Sequence, residues 1–417
     1  MEKNKRGKKI VWVSGIIIGA LIFSIKFFAS VKFPKFEFPE PTGKYAVGTK
    51  YFLFNEDNQP ESQEDLSGDD RMISVRVWYP AQKPAAGKPV AYQNQESIKG
   101  IAQLFRIPFF LLNYLTQIET HSYEDAPNPE VDTPFPVIIF SPSGWMNHTT
   151  AVNEELASHG FVVFAVGHAY SEPFIYDEKG AVKIMDYNNP YNQKIRDELN
   201  SPQVESVKDR IIRCRDISQK KELQQKLNAS QPLNVEDIRM RAQDISLLID
   251  RLPEINNNMF SGKLDLTNIG VMGFSKGGAT AGEVCVVDDR VKAGLNMDGF
   301  MYGKIVENPI KIPFMYMHSV SSVASAFIND WYYQETKNTA YMLKIKGTTH
   351  SNYGDFSLFD GIFKEQGILG TIDGQRCVEI QRAYVLAFFE KHLKGRDSNL
   401  LNQDSTEYPE VEFFKKK

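Results

Sequence analysis

Apolar residues in this chain follow two rhythms: short unbroken apolar runs, and longer stretches in which they return every third or fourth position. Val137-Ile138-Ile139-Phe140 and Phe161-Val162-Val163-Phe164-Ala165-Val166 are unbroken, which predicts strands buried on both faces, as in a parallel sheet. Ile269 to Met272, Val291 to Met297, Ile312 to Met317 and Tyr341 to Ile345 predict four more. Arg76-Val77-Trp78-Tyr79-Pro80 alternates polar and apolar, which suits an early antiparallel edge strand. Asn153 to His159 predicts a short helix. Ile238, Ala242, Ile245, Ile249 and Leu252 predict an amphipathic helix packed on the sheet. Val378 to Leu393 predicts a long closing helix, stopped by Gly395. Strands alternating with helices from about Tyr45 onward predict an α/β class, with a mostly parallel sheet covered on both faces.

Two stretches break the rhythm. Residues 98–120 include Leu104-Phe105-Arg106-Ile107-Pro108-Phe109-Phe110-Leu111-Leu112, which is apolar for a surface loop. It reads either as a core helix pair or as a cap or membrane-facing wall near the site. Residues 188–234 are charged and helical with no clear apolar stripe, which predicts a solvated insertion.

The two ends differ from the body, which spans 46–400. Lys3, Lys5, Arg6, Lys8 and Lys9 form a basic head, Ile10 to Ile25 carries no charge, and Phe27-Phe28-Ala29 resumes the apolar run after Lys26. Residues 1–31 therefore read as a signal sequence or signal anchor. Phe28-Ala29-Ser30 gives no small-x-small cleavage site, which favours an uncleaved anchor with the basic head in the cytoplasm. That predicts a membrane-anchored protein with an extracytoplasmic catalytic domain, or a secreted one if the segment is cleaved. Residues 32–45, with Pro34, Pro39 and Pro41, predict an extended linker, and 401–417 a C-terminal tail.

Over 417 residues the formal net charge is −4, which gives no case for a nucleic-acid partner. Cys214, Cys285 and Cys377 are scattered, without zinc spacing or a disulfide framework. With no metal cluster, Walker loop or dinucleotide fingerprint, no cofactor and no metal are expected.

Gly273-Phe274-Ser275-Lys276-Gly277 follows an apolar strand and precedes the small residues Gly278-Ala279-Thr280-Ala281-Gly282. A strand, a G-x-S-x-G turn and a helix start make the nucleophile elbow of α/β-hydrolases, which lifts the serine oxygen clear of the sheet. Serine needs a base, and the base an orienting acid, in the order serine, acid, histidine. His350 ends a strand that runs into Gly347-Thr348-Thr349, where the base belongs. His318 ends the preceding strand and is a candidate pocket residue, and His392 sits in the closing helix. Asp298 is the first carboxylate after the strand that follows the nucleophile helix, which makes it the candidate acid. The backbone N–H groups of Lys276 and of Gly144, in Ser141-Pro142-Ser143-Gly144-Trp145, are the candidate oxyanion donors. Trp145 and Phe274 are further pocket candidates.

With these parts in order, the chain resembles the plasma-type (isoform II) platelet-activating factor acetylhydrolase family, including its bacterial members. The resemblance runs from about Val47 to Asp397 and rests on several segments. They are Val75–Pro80, His121–Pro127, Phe135–Ser141, Leu156–Val163, Gly273–Gly278, Asn296–Gly299, Gly347–His350 and Ala387–Gly395. It implies an α/β-hydrolase fold and a calcium-independent serine esterase for short or oxidised acyl chains, typically the sn-2 acetyl of an ether phospholipid. Ser275, Asp298 and His350 fall on the family's nucleophile, acid and base. Two departures stand out. The family's elbow commonly has histidine before the serine and a small or aromatic residue after it, where this chain has Phe274 and Lys276. The family's loop usually carries His-Gly after Phe-Ser, where this chain has Pro142-Ser143-Gly144. Lys276 then either adds positive potential near the oxyanion or points into solvent, the latter being the simpler reading. An esterase of the same fold acting on non-lipid esters or polyesters, and a non-catalytic binding protein at the membrane, remain as alternatives.

Overall fold

The computed structural model describes residues 36–60, 70–83, 87–106, 108–168, 172, 174–177, 182–184, 189–320, 323–359 and 361–416. The apolar run expected to form a signal or anchor lies outside them. Among the described residues no helix is long and apolar enough to cross a membrane.

The strands are β1 (Ala46–Pro60), β2 (Asp70–Ala81), β3 (Pro89–Ala91), β4 (Glu119–Glu124), β5 (Phe135–Ser141), β6 (Val162–His168), β7 (Phe174–Tyr176), β8 (Val182–Ile184), β9 (Leu264–Phe274), β10 (Val291–Met297), β11 (Phe314–Ser319), β12 (Ala340–Ile345) and β13 (Val411–Lys416). The helices used below are α1 (Gln95–Phe105), α2 (Thr150–Ser158), α3 (Pro190–Leu199), α4 (Pro202–Arg213), α5 (Ile217–Ala229), α6 (Pro232–Met259), α7 (Lys276–Val287), α8 (Val323–Glu335) and α9 (Gly374–Lys394). Among the described residues eleven strands form one sheet in the order β13-β12-β11-β10-β9-β5-β6-β2-β1-β4-β3, and β7 and β8 pair separately. The block from β6 through β5, β9, β10 and β11 to β12 is parallel. From β5 the chain steps to β6 on one side, and later returns through β9 on the other. That reversal is the switch point beyond whose strand ends α/β proteins place their sites.

The unbroken apolar runs are explained by burial on both faces. Val137 and Ile139 of β5 pack in one cluster with Ala242, Ile245, Leu248, Ile249 and Leu252 of α6. Ile138 and Phe140 belong to the opposite cluster, with Leu156 of α2 and Val385, Phe388 and Phe389 of α9. Gly395 closes α9 in the left-handed conformation (φ +68°).

Four sequence expectations need correction. The β2 segment is not an edge strand: it lies between β6 and β1, because the longer β1 covers it. The end of the 401–417 tail forms β13, antiparallel to β12, with Val411 buried. In the expected 32–45 linker, Phe36 and Phe38 are buried against Tyr92 and Phe359. The 188–234 insertion has an apolar stripe after all. Val204, Val207, Ile211, Leu223 and Leu227 pack on Ala279 of α7 and on Tyr302, so α4 and α5 cover the start of α7. In the 98–120 segment, Ile98, Ile101, Ala102, Leu112 and Leu115 are core, while Phe109 and Phe110 are half exposed or more.

Candidate active site

The strand-turn-helix at Ser275 depends on two glycines for space. A Cβ on Gly273 would lie 2.0 Å from the carbonyl oxygen of Gly277, and one on Gly277 would lie 1.9 Å from that of Ser141. Neither is sterically possible, so β9, α7 and the end of β5 close up only with glycine at both places. Ser275 itself sits at φ +55°, ψ −119°, a strained conformation. Its N–H donates to the Met297 carbonyl at 2.8 Å, which pins the turn to the next strand. Phe274 and Met297 are in register, as are Met297 and Met317, so Ser275 and Asp298 leave neighbouring strands at the same level.

Asp298 repeats the device. Its φ is +53°, and its N–H donates to the Met317 carbonyl at 2.8 Å. Its side chain is buried and accepts from the Ser319 N–H at 2.9 Å and the Ser319 hydroxyl at 2.8 Å. His350 lies at the end of the loop after β12, with Nδ1 2.8 Å from Asp298 Oδ2 and Nε2 3.0 Å from Ser275 Oγ. A carboxylate only accepts, so Nδ1 carries the proton and Nε2 is left to accept from the serine hydroxyl. Burial alone would raise the Asp298 carboxyl, but the imidazoles of His318 and His350 outweigh it and hold it well below the usual carboxylate range. The His350 side chain is 47% exposed, which leaves the hydroxyl approachable. The three residues can therefore activate an oxygen nucleophile and hold the resulting imidazolium.

Lys276 opens α7, so its N–H is one of the free donors of a helix start beside Ser275. Gly144 adopts φ +121°, with open space where a Cβ would stand. Its loop is held from beneath: buried Arg241 of α6 donates to the Pro142 carbonyl. The Lys276 side chain does not point freely into solvent. Its Nζ lies 2.7 Å from Asp237 Oδ2 of α6, and Asp237 is buried.

The three pocket candidates fall differently. Phe274 is buried as the middle ring of a stack, 4.4 Å from His148 and 4.9 Å from His350 between centroids. Trp145 is 8% exposed and packs edge-on to His148. His318 is fully buried, with Nδ1 3.8 Å from Asp298 Oδ1, beyond hydrogen-bond range. Sequence reasoning missed Asp237, Arg241 and His148. The first two continue, at i and i+4, the stripe that further along α6 is apolar, and that spacing was the available signal. Among the described residues no cluster of His, Cys, Asp and Glu could hold a metal ion.

Comparison with known proteins adds three findings. Residues 30–408 match the family described as platelet-activating factor acetylhydrolase, isoform II. A platelet-activating factor acetylhydrolase of Canis lupus familiaris is 24% identical over 409 residues, across 87% of this chain and 82% of its own. That of Bos taurus is 26% identical over 414 residues, with 87% and 82% covered. Among solved structures, a ferulic acid esterase from Streptomyces cinnamoneus is similar with a TM-score of 0.70 and 24% identity, covering 91% of this chain and 99% of that one. At that identity the likeness speaks to the fold, an α/β architecture around a mostly parallel sheet.

Proposed function

Because the chain belongs to the isoform II family of platelet-activating factor acetylhydrolases, we propose that it is a serine esterase that removes short or oxidised acyl chains from lipid esters. One observation carries the catalytic part of this reading: the hydrogen-bonded chain Ser275 Oγ, His350 Nε2, His350 Nδ1, Asp298 Oδ2, with links of 3.0 and 2.8 Å. Ser275 attacks the ester carbonyl while His350 takes its proton. The oxyanion of the tetrahedral intermediate is met by the N–H groups of Lys276 and Gly144, donors typically worth about 3–4 kcal/mol each. His350 returns the proton to the departing alcohol, leaving an acyl-serine. Water, activated by the same imidazole, attacks the acyl-serine and releases the acid and Ser275. Asp298 keeps the imidazole in one tautomer throughout.

Lipid substrates are favoured by the family and by the exposed pair Phe109 and Phe110, whose rings meet edge to face at 6.4 Å. The basic head and the charge-free run from Ile10 to Ile25 support an N-terminal tether, with the fold on the extracytoplasmic side. Labelling with a fluorophosphonate tests the nucleophile: the wild-type protein labels and Ser275→Ala does not, and equal labelling would remove Ser275 from this role. A panel of ether phospholipids with acetyl, oxidised and long acyl chains, set beside p-nitrophenyl acetate and polyester film, tests the substrate class. Turnover confined to the non-lipid esters would overturn it. For the tether, the full chain is expected in the membrane fraction, and a chain lacking residues 1–31 in the soluble fraction.

A further inference from the structure

A second Ser-His-Asp chain lies under the oxyanion loop. Ser141 Oγ is 2.9 Å from His168 Nε2, and His168 Nδ1 is 2.7 Å from Asp244 Oδ2. The three residues end β5, end β6 and lie on α6. Their exposures are 0%, 1% and 0%, so no substrate reaches this serine and the arrangement is not a second active site. What it touches is the first one. Ser141 is the last residue of β5, and Pro142-Ser143-Gly144 follows it directly. In register it faces Gly273, and its carbonyl oxygen is the atom that leaves no room for a side chain on Gly277.

The helix that supplies Asp244 reaches the same region three times. Asp237, Arg241 and Asp244 lie at i, i+4 and i+7, one stripe of α6. Asp237 holds Lys276, Arg241 holds the Pro142 carbonyl, and Asp244 holds Ser141 through His168. Both candidate oxyanion donors, Lys276 and Gly144, are thus on backbone segments tied to this stripe. Glu172, fully buried, lies within the field of Arg241 and Asp244; burial pushes its carboxyl up to about 8 and the Arg241 charge pulls the other way.

We propose that Ser141, His168 and Asp244 are positioning residues: their buried chain fixes the start of the oxyanion loop, so that the Gly144 N–H is set for the tetrahedral intermediate before substrate arrives. A carboxylate only accepts, so His168 Nδ1–H donates to Asp244, and Nε2 lies within hydrogen-bond reach of the Ser141 hydroxyl. Ser141 is thus anchored by its side chain at the point where the chain leaves β5. This rests on Ser275 being the nucleophile.

The test compares the full-length protein with Ser141→Ala, Ser141→Thr, Asp244→Asn and the double variant Ser141→Ala/Asp244→Asn. Readouts are kcat and KM on p-nitrophenyl acetate, and Ki for a trifluoromethyl ketone, which forms a tetrahedral oxyanion on the active serine. Ser141→Ala is expected to lower kcat by about tenfold or more with KM nearly unchanged, and to weaken the ketone by the same factor. Ser141→Thr keeps the hydroxyl and restores most of both. The double variant is no worse than the poorer single one, since the chain acts as a unit. A fall in Tm with kcat and Ki unchanged would reduce the chain to a structural role and overturn the proposal. Should Asp244→Asn not fold, Ser141→Ala, which deletes one oxygen, decides alone. A wild-type protein that fails to label with fluorophosphonate overturns the nucleophile reading itself, whatever these variants do.

Discussion

The ring of Phe274 lies nearly parallel to that of His350, 26° between planes and 4.9 Å between centroids. On its other face the same ring stacks on His148, at 21° and 4.4 Å. The residue before the candidate nucleophile is therefore a wall for its candidate base. Where the resembling family commonly has a histidine at this place, an apolar ring here covers a flat face of His350, whose nitrogens meet Ser275 and Asp298.

Removing that wall should cost rate as well as stability. Phe274→Ala opens a cavity against a half-exposed imidazole, and truncating a buried phenylalanine typically costs about 3–5 kcal/mol. His350 then swings, and kcat is expected to fall about ten- to a hundredfold with a smaller change in KM. Phe274→Tyr keeps the stack and most of the rate. Steady-state kinetics well below each variant's Tm check this, and an unchanged kcat in Phe274→Ala would mean that the stack does not position the base.

Asp298→Asn isolates the role of charge. Asparagine tolerates the left-handed φ of +53°, so the backbone is kept. Its Oδ1 still accepts from the Ser319 N–H, which turns the amide nitrogen toward His350 Nδ1. That nitrogen must then accept, the proton moves to Nε2, and Nε2 no longer accepts from Ser275. The expected loss in kcat is about 10³–10⁴-fold, with the fold intact by circular dichroism. A loss below about tenfold would move the acid elsewhere.

Much of this was legible because each piece is local. A parallel strand buried on both faces is an unbroken apolar run, and Val291–Met297 could be read to its ends. Ser275, Asp298 and His350 each follow a strand, so strand order placed them at one edge before any contact was known. The illegible parts are contacts between distant residues. Lys276 and Asp237 are 39 apart in sequence, and nothing near Lys276 announces its partner. Val204, Val207 and Ile211 do keep helical spacing, but the charged residues around them hid a stripe whose meaning depends on Tyr302, far along the chain. Val411 to Lys416 becomes a strand only because β12 offers it an edge.

The ion pair between Lys276 and Asp237 should matter to stability and hardly to rate. Lys276→Ala leaves the buried Asp237 carboxylate without its ammonium partner, and a loss of about 1–3 kcal/mol is expected. The proposed mechanism uses only the backbone N–H at this position, so kcat should stay within about threefold of wild type. Thermal melts and p-nitrophenyl acetate turnover on the same preparation separate the two. A kcat loss beyond tenfold at unchanged Tm would show that the ammonium acts on the oxyanion through its field.

The inner ring of the stack sets an acid limit. His148 is buried with Nε2 donating to the Tyr353 carbonyl at 2.8 Å, and its pKa falls from 6.5 to about 4. Burial is the main cause; the Tyr353 carbonyl opposes it, and the charge of His350 adds to it. The folded state thus favours the neutral ring, and the unfolded chain takes up a proton first as pH falls. The stability this supplies is complete above pH 6.5 and is lost as pH falls through about 4, a change of roughly 3 kcal/mol for this group. His392, also lowered to about 4 chiefly by burial, acts in the same direction. Between pH 7 and pH 4.5 the wild-type urea midpoint carries this loss, while Glu172, whose carboxyl burial pushes up to about 8, stabilises the fold over the same interval and opposes it. His148→Gln cannot take up that proton, so acidification should lower its midpoint distinctly less than that of wild type. An equal drop in both proteins would mean that His148 is not held neutral by the fold.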